Sequence, residues 1–390
     1  MKASAVGDPR DETGLADGRE VPAVMDPRIR EHAQLIADAV DLSAGDNFLI
    51  KSEPAAEDLV VALYEIAGDR GAHPVSIRTN RSGRAIRSYL QAADAADVDF
   101  ETPAHEQALV EAADCHAVIR SHANVTELED VPPEVNSDYE KAHQPILNER
   151  LTDRWTLTQH PTPADAQLAE MSTEAYENFV YDAILKDWDE QREFQAQLVE
   201  ILEDASEVRI VSGDTTDVTM SVDGNHVIND TDTHNLPGGE VFTAPVPDSV
   251  EGEVLFDKPV YRRGREITDA RLVFEDGEVV EHSASKNEDL LTSILDTDEG
   301  ARRLGELGIG MNRDIDRFTY NMLFDEKMGD TVHMAVGRAY EDNVGEDNEQ
   351  NESAQHVDMI VDMSEDSYIE IDGEVVQEDG TFVFEDGFKG

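Results

Sequence analysis

Three residues near the C-terminus have the types and spacing of metal ligands: His333 in DEKMGDTVHMAVGRAY, and His356 two positions before Asp358 in HVDMIVDM. On an extended strand successive side chains alternate between faces. His356, Asp358 and Asp362 therefore share one face, and Val357, Met359, Val361 and Met363 share the other. Such a strand buries its apolar side and offers imidazole and carboxylate together on the opposite one, the donors that divalent ions take. The pair alone is weak. With 87 Asp and Glu among 390 residues, roughly two or three of the 12 histidines would have an acid two positions later by chance.

Three further segments converge on the same chemistry. In NLPGGEVFTAP, Pro237, Gly238 and Gly239 predict a tight turn that delivers Glu240 at the start of a strand. Paired glycines also let backbone approach a ligand closely, although a hairpin with an exposed acid is the plainer reading. In RRLGELGIGMN, Glu306 is bracketed by Gly305, Gly308 and Gly310. Read as the C-terminal end of a helix, an acid there opposes the helix dipole and needs a metal ion or a basic partner, Arg302 or Arg303. Thr331–Val336 alternates, so Val332, Met334 and Val336 face a core while His333 shares its face with small Ala335 and Gly337, leaving room for a ligand. A lone histidine of this kind is more often a satisfied structural one. Glu326 and Lys327 precede this strand as a charged pair in a turn, and Tyr340 follows it. Glu240, Glu306, Glu326 and Asp358 with His333 and His356 exceed what one zinc needs and match two divalent ions sharing bridging carboxylates, the equipment for hydrolysis.

The elements that must position these residues fall into two halves. Residues 1–24 are polar, rich in Gly and Asp and without periodicity, and are expected to be a disordered extension, with Met25 as an alternative start. Residues 25–190 read as an α/β domain with a largely parallel sheet: helices near 29–40, 55–67, 85–93, 106–113 and 139–151 alternate with strands near 47–51, 74–78, 117–120 and 155–158. A long helical stretch over 173–203 connects the halves. Residues 191–390 read as an α+β catalytic domain with mostly antiparallel sheet, and 341–352 as a solvated acidic loop. No GxGxxG follows a strand; GELGIG follows a helical segment and has the wrong spacing for a dinucleotide site.

Composition narrows the class. Eighty-seven acids against 31 Lys and Arg give a net charge of −56, spread along the chain. That is the surface of a protein hydrated in molar salt, where the Debye length shrinks to about 3 Å, and it disfavours nucleic acid as a partner. One cysteine, Cys115, excludes an internal disulfide and suits a reducing cytoplasm. No apolar run is long enough to span a membrane, and the N-terminus lacks the hydrophobic region of a secretory signal.

From Met25 onward the chain resembles the metallo-aminopeptidases that include aminopeptidase T and aminopeptidase S. The resemblance is carried by MDPRIREHAQLIADAVDLSAGDNFLIK and by the ordered motifs NLPGGEVFTAP, GELGIGMN, EKMGDTVHMAVGRAY and HVDMIVDM. It implies a homodimer of chains with an N-terminal α/β domain and a C-terminal catalytic domain, which releases N-terminal residues from peptides through a water activated by two divalent ions (Zn, Co, Mn or Mg). It implies Glu240, Glu306, His333, His356 and Asp358 as metal ligands, Glu326 as a ligand or the general base, and Tyr340 close to the metals. The chain departs from the pattern in its acidity, its N-terminal extension and Asp330, where a small residue is usual. Two other readings of the ligands remain at this stage: a metal-dependent phosphoesterase, which the lack of a nearby Arg or Lys clamp disfavours, and a non-catalytic peptide- or metal-binding relative.

Overall fold

The computed structural model describes residues 25–78, 83–262 and 265–389, and the extension expected over 1–24 lies outside them. Its first half is the parallel sheet that the alternating pattern predicts. Asn47–Ser52 pairs in parallel with His73–Arg78 on one side and with Cys115–Arg120 on the other, and Arg154–Gln159 pairs beyond that. Pro27–Ala39, capped by Asp26, turns Ala33, Ile36 and Ala37 toward Phe48 and Ile50 of the sheet, in a core shared with Leu59 and Leu63 of Glu57–Arg70.

A fifth strand comes from the other half of the chain. Asn235–Leu236 aligns parallel with Leu157 and Thr158. The Thr158 hydroxyl donates to the Leu236 carbonyl (2.7 Å) and so accepts from His32 Nε2 (2.7 Å), which joins the first helix, the parallel sheet and this short strand. The turn through Pro237, Gly238 and Gly239 follows at once. Gly239 has φ of 119°, and a Cβ there would fall 2.5 Å from Asn312 Cβ, so the turn that delivers Glu240 accepts only glycine.

The second half stacks two antiparallel sheets. Five strands lie in the order His356–Asp362, Thr331–Gly337, Leu304–Gly310, Glu240–Thr243 and Ile228–Asp230. An eight-stranded sheet covers one face, and the two bury a common core in which Val208, Ile210, Val254 and Phe256 meet Val241, Leu307, Ile309, Val332, Met334 and Met359. The opposite face of the five-stranded sheet carries the predicted ligands.

Two expectations need correction. Gly305–Gly310 is not the end of a helix; it lies within the wholly buried central strand Leu304–Gly310. Antiparallel partners on both edges satisfy its backbone, and after an irregularity at Leu304/Glu306 the strand turns Leu307 and Ile309 to the core and Glu306, Gly308 and Gly310 to the other face. The glycines are required by what lies across the ladder. Gly308 faces His333, and a Cβ on it would fall 2.0 Å from His333 Nε2. The connector is also not continuous: it breaks into Thr173–Ile184 and Trp188–Leu202, because Asp187 caps the second helix by accepting from Asp189 and Glu190 N–H.

Two outcomes follow from this packing. Gly308→Ala should displace the His333 ring and lower stability by about 1–3 kcal/mol, measured by chemical denaturation; unchanged unfolding together with unchanged metal affinity would contradict the close approach. Burial, with His160 adding to it, lowers the His32 pKa to about 3. Its contribution to stability is complete above the unfolded value near 6.5 and is lost as pH falls toward 3. The acid limb of the unfolding curve should therefore flatten in His32→Gln, and equal limbs in the two proteins would contradict the prediction.

Candidate metal centre

Cross-strand register brings the ligands together from segments far apart in sequence. Glu306 lies opposite Ala335, and Ala335 opposite Asp358; His333 lies opposite Gly308, His356 opposite Gly337, and Glu240 opposite Gly310. Each of these polar side chains thus has a small residue on one side, although Glu240 also lies opposite Asp230 and His333 opposite Ile360.

The donor atoms fall into two groups that share one carboxylate. Glu240, Glu306 and His333 offer atoms that all lie within 4.8 Å of one another, and so do Glu306, His356 and Asp358. His333 Nε2 is 3.1 Å from Glu306 Oε1 and 3.2 Å from Glu240 Oε2. His356 Nε2 is 3.3 Å from Asp358 Oδ1 and 3.8 Å from Glu306 Oε2. The other ring nitrogen of His356, Nδ1, donates to the Arg338 carbonyl at 2.8 Å, because a carbonyl can only accept. That bond fixes the tautomer and leaves Nε2 aimed at the carboxylates, as in metal-ligating histidines.

Electrostatics say what the group lacks. Burial disfavours ionised carboxylates, yet Lys327 and His333 hold Glu240 below the usual range, and against the same burial His356 holds Asp358 lower still. The imidazoles respond in kind: burial lowers them, but Asp358 and Glu306 raise His356 to about 10, and Glu240 and Glu306 raise His333 well above its usual value. Glu240 Oε2, Glu306 Oε2 and Asp230 Oδ2 are buried without a hydrogen-bond partner. Burial raises the Asp230 carboxyl well above its ordinary range, and the open lone pairs of Glu240 and Glu306, with imidazoles between them, are a donor set for divalent ions. The residues fit the metals that the sequence implies.

The remaining predicted residues border this set. Glu326 belongs to neither ligand group; burial, the opposing charge of Lys327 and the like charges of Glu240 and Asp358 bring it to about 7. Tyr340 is 47 % exposed, with its ring 4.9 Å from that of His356. Burial of its hydroxyl end and the Glu306 and Asp358 charges keep the phenol protonated well above its usual range. Lys327 was read only as half of a charged pair in a turn, but it is fully buried. Its ammonium contacts Glu326 and lies 2.9 Å from Glu240 Oε1. Asp230, opposite Glu240 on the edge strand, was not singled out, and nothing local in DTDTHN marks it.

Other expectations fail on contact. Arg302 pairs with Asp296, and Arg303 donates to the Pro247 carbonyl, so neither serves Glu306. Asp330 pairs with Arg313 and Asp362 with Lys258, both away from the ligand groups. The acidic loop is partly structural: buried Asn351 donates to the Gly300 and Gly337 carbonyls. Arg120 and Arg262, remote from the ligand motifs in sequence, line the same cavity as Glu326 and Asp358, so basic groups do stand nearby.

This architecture has known counterparts. The structure of wild-type AmpT from Thermus thermophilus superposes with a TM-score of 0.81 at 25% identity, covering 92% of this chain and 99% of that one. Aminopeptidase 2 of Geobacillus stearothermophilus is 29% identical over 78% of this chain and 82% of its own length, and aminopeptidase T of Thermus aquaticus 39% identical over 38% of each. A 2,5-dihydroxypyridine dioxygenase from Pseudomonas putida shares the fold alone, with a TM-score of 0.56 at 14% identity over 92% of this chain and 97% of that one. Chemistry must therefore be argued from the site. The sequence model of the thermophilic metalloprotease family M29 matches residues 25–388, and the chain belongs to that family.

Proposed function

We propose that the chain is a metallo-aminopeptidase that removes N-terminal residues from peptides with a free α-amine, using two divalent ions held on the five-stranded sheet. The observation that carries this reading is the pair of ligand groups sharing Glu306. Glu240, Glu306 and His333 would hold one ion, and Glu306, His356 and Asp358 the other. Such ions supply Lewis acidity toward a scissile carbonyl and lower the pKa of water. Imidazole with carboxylate suits Zn, Co or Mn better than Mg. The metalloprotease family and the aminopeptidase relatives support the peptide substrate.

The chain's own residues divide the remaining work. Glu326 stands beside the ligand carboxylates without belonging to either group, so it is the side chain placed to take a proton from water and return it to the leaving amine. The Tyr340 hydroxyl, kept protonated, donates toward developing negative charge on the carbonyl oxygen. Lys327 fixes one oxygen each of Glu240 and Glu326 and offsets part of the buried negative charge. A phosphoesterase reading has only Arg120 and Arg262 in its favour, and a phosphate-ester assay tests it.

Three measurements test this. In molar KCl with added metal, peptides with a free N-terminus should be cleaved from that end, N-acetylated ones should not, and chelator should abolish turnover; equal cleavage of both, or indifference to chelator, would reject the mechanism. Glu326→Gln should lower kcat by about 10²–10⁴-fold while the protein still binds two ions; full turnover with both bound would exclude Glu326 as the base. His356→Ala should bind fewer than two ions per chain by elemental analysis. Two ions bound with full activity would undo the ligand assignment.

A further inference from the structure

Glu326 and Asp358 line a cavity of about 220 Å3 together with Arg120, Asn235, Tyr261 and Arg262. Small-molecule pockets are commonly about 300–1,000 Å3, so this space suits a short ligand. Arg120 is the last residue of Cys115–Arg120 and stands at the C-terminal edge of the parallel sheet, where open α/β sheets bind ligands. Lys51 lies next to last in Asn47–Ser52, and Arg150, in the last turn of the helix Pro133–Leu151, has its guanidinium 5.9 Å from the Trp155 ring.

These cations are treated unlike others in the chain. Acids outnumber Lys and Arg by 87 to 31, and many arginines elsewhere take a carboxylate: Arg209 pairs with Asp217, Arg271 with Glu253 and Arg87 with Asp130. Among the described residues nothing accepts a hydrogen bond from the Arg120 guanidinium; the Glu326 and Asp165 charges act on it only from a distance. Arg150 Nε is buried without a partner. Burial disfavours the charged forms of Arg120, Arg150 and Lys51, and repulsion by Arg120 on Arg150, and by Arg150 on Lys51, adds to it. A half-buried guanidinium that no carboxylate hydrogen-bonds gains most when an anion joins it. A guanidinium fork matches a carboxylate in two parallel hydrogen bonds.

We infer that Arg120 binds the free carboxylate of a short peptide whose N-terminal residue lies beside Glu326 and Asp358 in the cavity. This inference rests on the aminopeptidase reading and adds what decides substrate length: both charged ends of a small peptide are held, one by the ligand cluster and one by Arg120. The carboxylate belongs to the peptide's C-terminus or to an acidic side chain next to the cleaved bond, and substrates separate the two.

The test compares Leu-Gly, Leu-Gly-amide and Leu-Asp-amide with the metal-loaded protein in molar KCl, by turnover and by calorimetric binding to Glu326→Gln. Leu-Gly should exceed its amide at least tenfold in kcat/KM, mainly through KM. Arg120→Gln should bring that ratio near one, with Arg120→Lys between. Preference for Leu-Asp-amide over Leu-Gly-amide, with none for Leu-Gly, would support the site and assign it to a side-chain carboxylate. Equal kcat/KM for all three peptides in the wild type, or an Arg120→Gln variant that lowers all alike, overturns the inference. If no peptide is cleaved, the aminopeptidase reading fails separately. Calorimetry then decides the carboxylate site by itself, since equal affinity for acid and amide peptides overturns it.

Discussion

Like charges brought together out of water set the terms for the catalytic half. Glu240, Glu306, Glu326 and Asp358 meet on one face of a sheet whose other face is sealed by a hydrophobic core. Water cannot screen them well there, and one buried ammonium, Lys327, offsets only part of their charge. The arrangement persists because the strands are pinned from behind by Leu307, Ile309, Val332, Met334 and Met359, leaving the acids no way to move apart. Apolar packing holds the acids together, and Lys327, His333 and His356 stand among them with opposing charge.

The parallel sheet contributes more than bulk. Its fifth strand, Asn235–Leu236, is borrowed from the segment that ends in Glu240, and the Thr158 hydroxyl clamps it in place. Packing joins the halves a second time, where Phe179 meets Phe324 just ahead of Glu326 and Lys327. Arg120, at the end of a strand of the parallel sheet, therefore lines the same cavity as Glu326 and Asp358, which holds both arginines and acids. Such a mixture of charge recognises a molecule that carries both signs, as a free peptide does.

Much of this was legible in the residues. Alternation in TVHMAVG and HVDMIVDM sorted ligand face from core face correctly, because both strands pack against apolar residues on one side only. Glu306 was harder. Its glycines look like breakers when read along the chain, and only the strand across the ladder explains them: Gly308 is small because the His333 ring occupies its space. Lys327 was underread for a related reason, since burial of a lysine is exceptional and nothing in FDEKMG announces it.

By itself the sequence determined which residues are candidate ligands and their order, the change from parallel to antiparallel sheet and the strand faces, because each rests on local periodicity or on residue chemistry that folding does not alter. Only the tertiary structure decided which donors meet, that Glu306 belongs to two groups at once, that Arg302 and Arg303 are engaged elsewhere, and that Arg120 shares a cavity with Glu326. Those are distances between residues tens to hundreds of positions apart, set by register and sheet stacking, and no local pattern encodes a distance across a core.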